Sequence, residues 1–480
     1  MKALKAHIAL IAAALGVAGL ANAAVTAEEA AHLGKDLTPW GAEVAGNKEG
    51  TIPPYTGGLP VNMMGPTWDS NKSIVNGRQF QPDPFKDEKP LYRITAQNLS
   101  QYADKLSEAT KALFKNDPKF FMDVYPTHRV VNYPKYFLDS SIKNATRCKM
   151  DKDGETMRGC KGGMPFPIPK TGVEAIMNLQ MGSYFGPGFD VDVSAIYVDR
   201  KGSVITTATS IIYYQAPFQD PRYSMEDFEN TKNPYSNLSS RTILWRTGPP
   251  RITGEAGLYF FSCDNRNSRS WSYQPGNRRV RLTPDVEYDY PIASSGGASF
   301  YDEVSNFQGR KDRFDWKLLG KKEMIMPYSA YRLAWGDKDK VLMSGHPNPE
   351  YARWELHRAW VVEATRKPGP RHAYSKRRYY IDEDSPASSM GDNWDDKGNI
   401  VRGNYQSVLW IWDYQVNLPY FWNNDLVSGA FYTAYHHGNG TEGGARFRNA
   451  NTGLGGNTPD GKMVPESGYT PEALIRGTQR

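Results

Sequence analysis

From residue 191 onward the chain alternates. Val191, Val193, Ala195 and Tyr197 interleave with Asp192, Ser194 and Ile196, the period of two expected of a pleated strand. Val204 to Gln215 is a longer run rich in β-branched residues, which suit a pleated surface. The same pattern predicts strands over 241–247, 256–262, 269–274, 278–283, 322–333, 352–366, 374–382, 399–416 and 429–435. Within Trp271 to Val280, Pro275-Gly276 marks a turn between two short strands. Connections between these runs are often too short for a crossover helix, so antiparallel neighbours follow. The expectation is one continuous, mainly antiparallel sheet over 191–435.

Before residue 191 the period is helical. Thr95 is a candidate N-cap, and Leu99, Tyr102, Ala103, Leu106, Ala109 and Leu113 recur at helical spacing until Asn116-Asp117-Pro118. This helix is expected across the concave side of the sheet. A second helix is predicted from Gly172 to Met181, capped by Thr171. Residues 24–93 read as an irregular arm, with a short helix near Ala27 to His32 and repeated Gly/Pro punctuation. Trp40, Tyr55, Trp68 and Phe85 give that arm the means to lie across a folded body. From His436 the chain is Gly/Asn-rich and reads as a loose tail. The expected organisation is one domain over 24–480, made of an arm (24–93), helices and loops (94–190), a sheet (191–435) and a tail (436–480).

The first residues resemble a targeting signal. Lys2 and Lys5 precede an uncharged apolar run, Ile8 to Leu20, and Ala21-Asn22-Ala23 supplies a small-x-small cleavage pattern. Cleavage after Ala23 and export to the periplasm are expected. The run is short for a span of ~20 residues, and nothing later approaches one, so an integral membrane protein is not expected. Three cysteines fit an oxidising compartment. Cys148 and Cys160 flank a polar excursion and are expected to pair, adding roughly 2–3 kcal/mol by closing a short loop; two surface thiols are the alternative. Cys263 is left as a buried free thiol.

Charge and chemistry narrow the field further. The net charge is +6 on 480 residues, and two of those charges, Lys2 and Lys5, leave with the signal. The basic runs Arg278-Arg279-Val280-Arg281, and Arg371 with Lys376, Arg377 and Arg378, alternate with apolar residues as the wet face of a strand would, so no nucleic-acid partner is expected. There is no G-x-S-x-G, H-E-x-x-H, Walker loop or C-x-x-C. His436-His437 point to opposite sides of an extended segment and cannot easily share an ion. Asp382-Glu383-Asp384, with Asp392, Asp395 and Asp396, lack EF-hand spacing and are expected to pair with Arg377, Arg378 or Lys397. No catalytic residue, metal or cofactor is assigned. Paired carboxylates for glycoside hydrolysis would leave no sequence mark.

Several segments resemble the DUF1329 family of exported bacterial proteins, often labelled outer-membrane lipoprotein-sorting-like. They include Leu37-Thr38-Pro39-Trp40-Gly41-Ala42-Glu43, Gly162-Gly163-Met164-Pro165-Phe166-Pro167, Phe314-Asp315-Trp316-Lys317-Leu318-Leu319-Gly320, His357-Arg358-Ala359-Trp360-Val361-Val362-Glu363 and Lys376-Arg377-Arg378-Tyr379-Tyr380-Ile381-Asp382. Gln81-Pro82-Asp83-Pro84 departs from the His-Pro-Asp-Pro more common in the family, which argues against a metal or catalytic duty there. The resemblance implies an α+β fold with a large curved antiparallel sheet, a half-barrel like that of periplasmic lipoprotein carriers, closed by helices around an apolar cavity. It also implies a setting beside envelope transporters. The expected function is a carrier or chaperone for a lipid or other amphiphile, not an enzyme. Non-catalytic scaffolding of an export complex and an envelope hydrolase are the alternatives. Trp354, Leu356, Trp360 and Val362 are the candidate cavity wall, and the same four residues would equally fill a closed core.

Overall fold

The computed structural model describes residues 25–75, 78–79, 81–232, 236–283, 288–418, 420–437, 445–453 and 468–476. The expected signal and its cleavage point after Ala23 lie outside the described residues. The main sheet has sixteen strands. The first eight are β1 (Tyr92–Thr95), β2 (Phe121–Tyr125), β3 (Gly188–Val198), β4 (Val204–Gln215), β5 (Leu238–Gly248), β6 (Ala256–Ser262), β7 (Arg269–Gln274) and β8 (Arg279–Leu282). The rest are β9 (Phe314–Pro327), β10 (Trp354–Arg366), β11 (Lys376–Asp382), β12 (Ser389–Trp394), β13 (Ile400–Ser407), β14 (Tyr420–Asp425), β15 (Phe431–His436) and β16 (Ala445–Phe447). Their order is β8-β7-β6-β5-β4-β3-β15-β14-β13-β12-β11-β10-β2-β1, with β9 pairing β10 and β16 pairing β3 off this path. Every pairing in the sheet is antiparallel except β10 with β2, where Trp354 lies opposite Val124.

The expected half-barrel is corrected by this topology. The fold is α+β with a large sheet, but the sheet is neither closed nor strongly curled, and its terminal strands β8 and β1 do not pair. The reason lies in what covers it. Val361, Tyr380, Met390, Tyr405 and Trp422 form one cross-strand row inside the main core. On the opposite face Trp360, Val362, Tyr379 and Ile381 pack against Ala175, Ile176 and Leu179. Strands buried on both faces gain nothing from curling around a single interior.

Three helices and the arm supply the cover. Helix α1 (Glu108–Asn116) starts at Ser107, not near Thr95 as the spacing predicts. The Asn98 side chain accepts from the Thr95 N–H at 2.7 Å, two 3₁₀ turns follow, and Leu106 is extended. The turn chemistry of Asn98 therefore overrides the helical period. Asp392 of β12 then caps α1, accepting from the Glu108 and Ala109 N–H groups at 2.9 and 2.8 Å. Helix α2 (Lys135–Arg147) is not evident in the sequence pattern. Helix α3 (Gly172–Gly182) is capped by Thr171 in a capping box, as the sequence indicates. Trp40 is buried edge-on to Tyr55 and Tyr133, so the arm does lie across the folded body.

The tail is corrected too. β16 pairs with β3, His436 and His437 are buried, and a C-terminal helix, α4 (Pro471–Arg476), places Leu474 against Ile243 and Leu258. The described tail residues are part of the fold rather than loosely attached.

Candidate functional site

A hollow opens on the β3–β6 side of the sheet. Its floor follows from strand parity. Val193 and Ala195 on β3, Ser210, Ile212 and Tyr214 on β4, and Ser240, Thr242, Leu244 and Arg246 on β5 all point into it, with Tyr259 and Phe261 of β6. The registers Val193↔Ser210, Tyr214↔Thr242 and Thr242↔Tyr259 put these positions in common rows. The intervening residues Tyr213, Ile243 and Leu258 face the other side and join the cluster under α4. Small floor residues make room, and Gly257 makes more. A Cβ on Gly257 would sit 2.8 Å from the Tyr259 ring, so only glycine lets that ring fold back beside the floor. The cavity volume of the hollow is about 160 Å³, below the ~300–1,000 Å³ usual for drug-sized ligands.

The roof is the segment 288–313, and buried charges fix it. Asp302 Oδ2 accepts from Arg377 Nη1 at 2.5 Å and lies 3.0 Å from His372 Nε2. Glu303 accepts from Tyr374 Oη at 2.5 Å and from Arg402 Nη1 at 3.0 Å. Asp302 and Arg377 are 2% and 0% exposed, so these are desolvated pairs, worth far more intact than broken. Ser305 and Asn306 follow with positive φ, and Asn306 donates to Ser389 at 2.8 Å. The segment thus turns its acids to the sheet while its neighbours Tyr301 and Val304 face the hollow.

The polar groups of the hollow gather near Arg246. Its Nη1 donates to Ser210 at 2.9 Å, and Tyr432 and Ser294 share a hydrogen bond of 3.0 Å. The Tyr301 hydroxyl is pushed up by its neighbour Tyr259 and by burial; burial pushes up those of Tyr259 and Tyr432. The Arg246 charge opposes the shift at all three. The phenols are therefore neutral donors beside one fixed positive charge. Glu255, across the β5–β6 hairpin, accepts the Arg246 N–H through its carbonyl at 2.9 Å. Among the described residues no carboxylate forms an ion pair with the Arg246 guanidinium.

The four residues predicted as a cavity wall stand elsewhere. Trp354 and Leu356 belong to the main core; Val362, and half-buried Trp360, belong to the cluster against α3. None of the four lines the hollow. Cys148 and Cys160 form a disulfide, and Cys263 is a buried free thiol. Asp395 accepts from the Lys397 N–H and feels its charge, but most of the acidic residues find partners other than those expected. Asp384 takes a bidentate pair from Arg129 at 2.6 Å, Glu383 pairs with Arg358 and Lys321, Asp392 caps α1, and Asp396 pairs with Arg366. Arg378 goes to Glu363. His357, Asp382 and Asp384 do bring ligand-type atoms within 4.8 Å of one another. Arg129 already neutralises Asp384, and Tyr328 and the Ser385 N–H donate to Asp382 Oδ2, while Asp382 Oδ1, 3.5 Å from His357 Nδ1, has no hydrogen-bond partner among the described residues. The hollow itself escapes sequence reading. Ser240, Thr242 and Arg246 opposite Ile243 and Trp245 look like the wet face of a strand; the one available signal is that the same strand is followed by aromatic β6.

A family model described as "Protein of unknown function (DUF1329)" matches residues 93–474. Protein PA3922 of Pseudomonas aeruginosa is 37% identical over 420 residues, covering 85% of this chain and 87% of that protein. Among solved structures, a DUF1329 family protein from Desulfovibrio piger is similar at TM-score 0.36 and 12% identity, over 55% of this chain and 89% of that one. A putative outer membrane lipoprotein-sorting protein domain from Vibrio parahaemolyticus is similar at TM-score 0.38 and 13% identity, over 63% and 97%. Superpositions at this level assign no activity. The extent of the family match, and of the identity to PA3922, place the chain in the DUF1329 family.

Proposed function

We propose that the protein is a periplasmic carrier or chaperone that holds an amphiphilic molecule in the hollow between β3–β6 and the 288–313 roof. The observation that carries this reading is the hollow itself: an aliphatic and aromatic floor with a few polar groups gathered at one place, the form of a small-molecule site. An acyl chain seated there gains roughly 0.8 kcal/mol per buried CH₂. The Cys148–Cys160 bridge and the signal-like N-terminus support an oxidising compartment outside the cytoplasm. We read the protein as non-catalytic and as serving an envelope transporter that supplies or receives the ligand. Among the described residues, no helix is long and apolar enough to cross a membrane.

Purification without detergent, followed by mass spectrometry of extracted small molecules, is the direct test, with titration of the delipidated protein by a fluorescent long-chain fatty acid beside it. Saturable binding that Val193→Trp abolishes supports the reading, because Val193 lies on the floor and the larger ring fills it. Absence of any extractable amphiphile, together with no saturable probe binding by the parent, overturns it in favour of scaffolding.

A further inference from the structure

We infer that the hollow selects amphiphiles with an anionic head, which Arg246 receives. The inference rests on the carrier reading and deepens it by naming the chemistry of the ligand. The hollow is mainly apolar, yet Arg246, on the β5 side of the floor, brings a guanidinium into it. That group makes one neutral hydrogen bond, to Ser210 at 2.9 Å. Several deeply buried arginines are matched to carboxylates: Arg377 to Asp302, Arg402 to Glu303, Arg129 to Asp384 and Arg358 to Glu383. Arg246 instead faces a cavity. A half-buried cation with donor capacity left over favours an incoming anion, and its planar fork accepts a carboxylate or phosphate through two parallel bonds.

The surroundings agree. Tyr259, Tyr301 and Tyr432 lie close enough to feel the Arg246 charge and offer hydroxyl donors, while among the described residues no acidic side chain lines the hollow to repel an anion. From Arg246 the apolar surface runs through Leu244 and Ile212 toward Phe421, which gives a chain somewhere to lie once its head is held. A neutral ligand would leave the guanidinium partly desolvated and unanswered, a cost that discriminates against it.

The test compares ligands that differ only at the head. A fluorescent long-chain fatty acid, its methyl ester and the alkyl phosphate of equal chain length are titrated at about pH 8, where the acid is ionised. The parent is expected to bind the acid about ten- to a hundred-fold more tightly than the ester, the range of a charge-assisted bond. Arg246→Gln should erase that preference, weakening acid binding and, with no guanidinium left to desolvate, tightening ester binding, and Arg246→Lys should keep part of it. Tighter binding of the alkyl phosphate assigns a lipid phosphate head; tighter binding of the acid assigns a free carboxylate. Equal affinity for acid and ester in the parent, or a preference that survives in Arg246→Gln, overturns the anionic-head inference while the carrier reading stands. If none of the three binds, the carrier reading fails and this inference falls with it.

Discussion

Replacing Asp302 by Asn tests whether buried charge holds the roof. The carboxylate is 2% exposed and one of its oxygens serves both Arg377 and His372. Asn keeps the shape and an acceptor but removes the charge, leaving the fully buried Arg377 guanidinium without its ion-pair partner. Truncating one member of a buried pair costs about 3–5 kcal/mol, and Asn, which still accepts a hydrogen bond, belongs at the low end. Titration gives a second route to the size. Burial alone would raise the Asp302 carboxyl, but the Arg377 charge and the His372 hydrogen bond outweigh it and hold the group down at about 2. Against ~3.9 in an unfolded chain, that difference corresponds to about 2–3 kcal/mol. The two routes agree on roughly 3 kcal/mol. Because the folded value is the depressed one, this stabilisation is present above about pH 4 and is lost as the pH falls toward 2. Urea unfolding of parent and Asp302→Asn should therefore differ by about 3 kcal/mol at neutral pH and converge below pH 4. A neutral-pH difference under about 1 kcal/mol, or a gap that persists unchanged to pH 2, would refute the reasoning.

Three further outcomes are expected. Burial holds the His436 imidazole down at about 4, so between about pH 6.5 and 4 the unfolded chain takes up a proton that the folded one refuses. The parent should lose up to roughly 3 kcal/mol over that window, and in His436→Gln the pH slope of the unfolding midpoint should be correspondingly flatter. Trp360→Ala should cost about 2–3 kcal/mol, less than a fully buried Trp, because Trp360 is half-buried under Lys321. Probe affinity should stay unchanged, since Trp360 does not line the hollow; a lost affinity would return it to the cavity wall. Peptide mapping without reduction should recover Cys148 joined to Cys160. Cys263 should resist thiol reagents in the native protein, its thiol pushed up by burial, and rapid labelling would contradict that burial.

What the sequence makes legible is the part of the fold governed by local period. Val204–Gln215, Ala256–Ser262 and Arg269–Gln274 are strands with the predicted bounds, because alternation there is clean. Ser389–Trp394 and Tyr420–Asp425 escape the pattern. Their sequences, SMGDNW and YFWNND, place polar residues inside, and only tertiary partners explain why they are tolerated. Asn393 accepts from Arg377 and donates to Asn404, and Asn423 donates to Ser299. Helix α2 hides for the same reason. Its buried face includes Ser141 and Asn144, and Asn144 donates to the Gly162 and Met164 carbonyls. The bundle of tryptophans near residue 360 advertises a cavity and fills a core instead. The actual hollow is lined by tyrosines, aliphatic residues and serines whose common direction is set by register across four strands, which no single strand reveals.

One segment explains why a void survives in a sheet covered on both faces. Consecutive residues of the roof divide their duties: Asp302 and Glu303 reach down to Arg377 and Arg402 on β11 and β13, while Tyr301 and Val304 face the hollow. Over β11–β13 the charged pairs pull the roof into contact, and Asn306 nests so tightly on Gly391 that a Cβ there would meet it at 2.8 Å. Over β3–β5 no such pair exists among the described residues. Ala195, Ser210 and Ser240 leave the roof standing off the floor, and among the described residues no carboxylate pairs with Arg246. Collapse of the gap would bring the roof's aromatic side chains against an arginine still holding unanswered donors, at a desolvation cost that a tighter apolar contact does not repay. The polar pins and the small floor residues therefore act together. The first set the height of the roof, the second leave the space beneath it, and Arg246 keeps that space from closing as dry core.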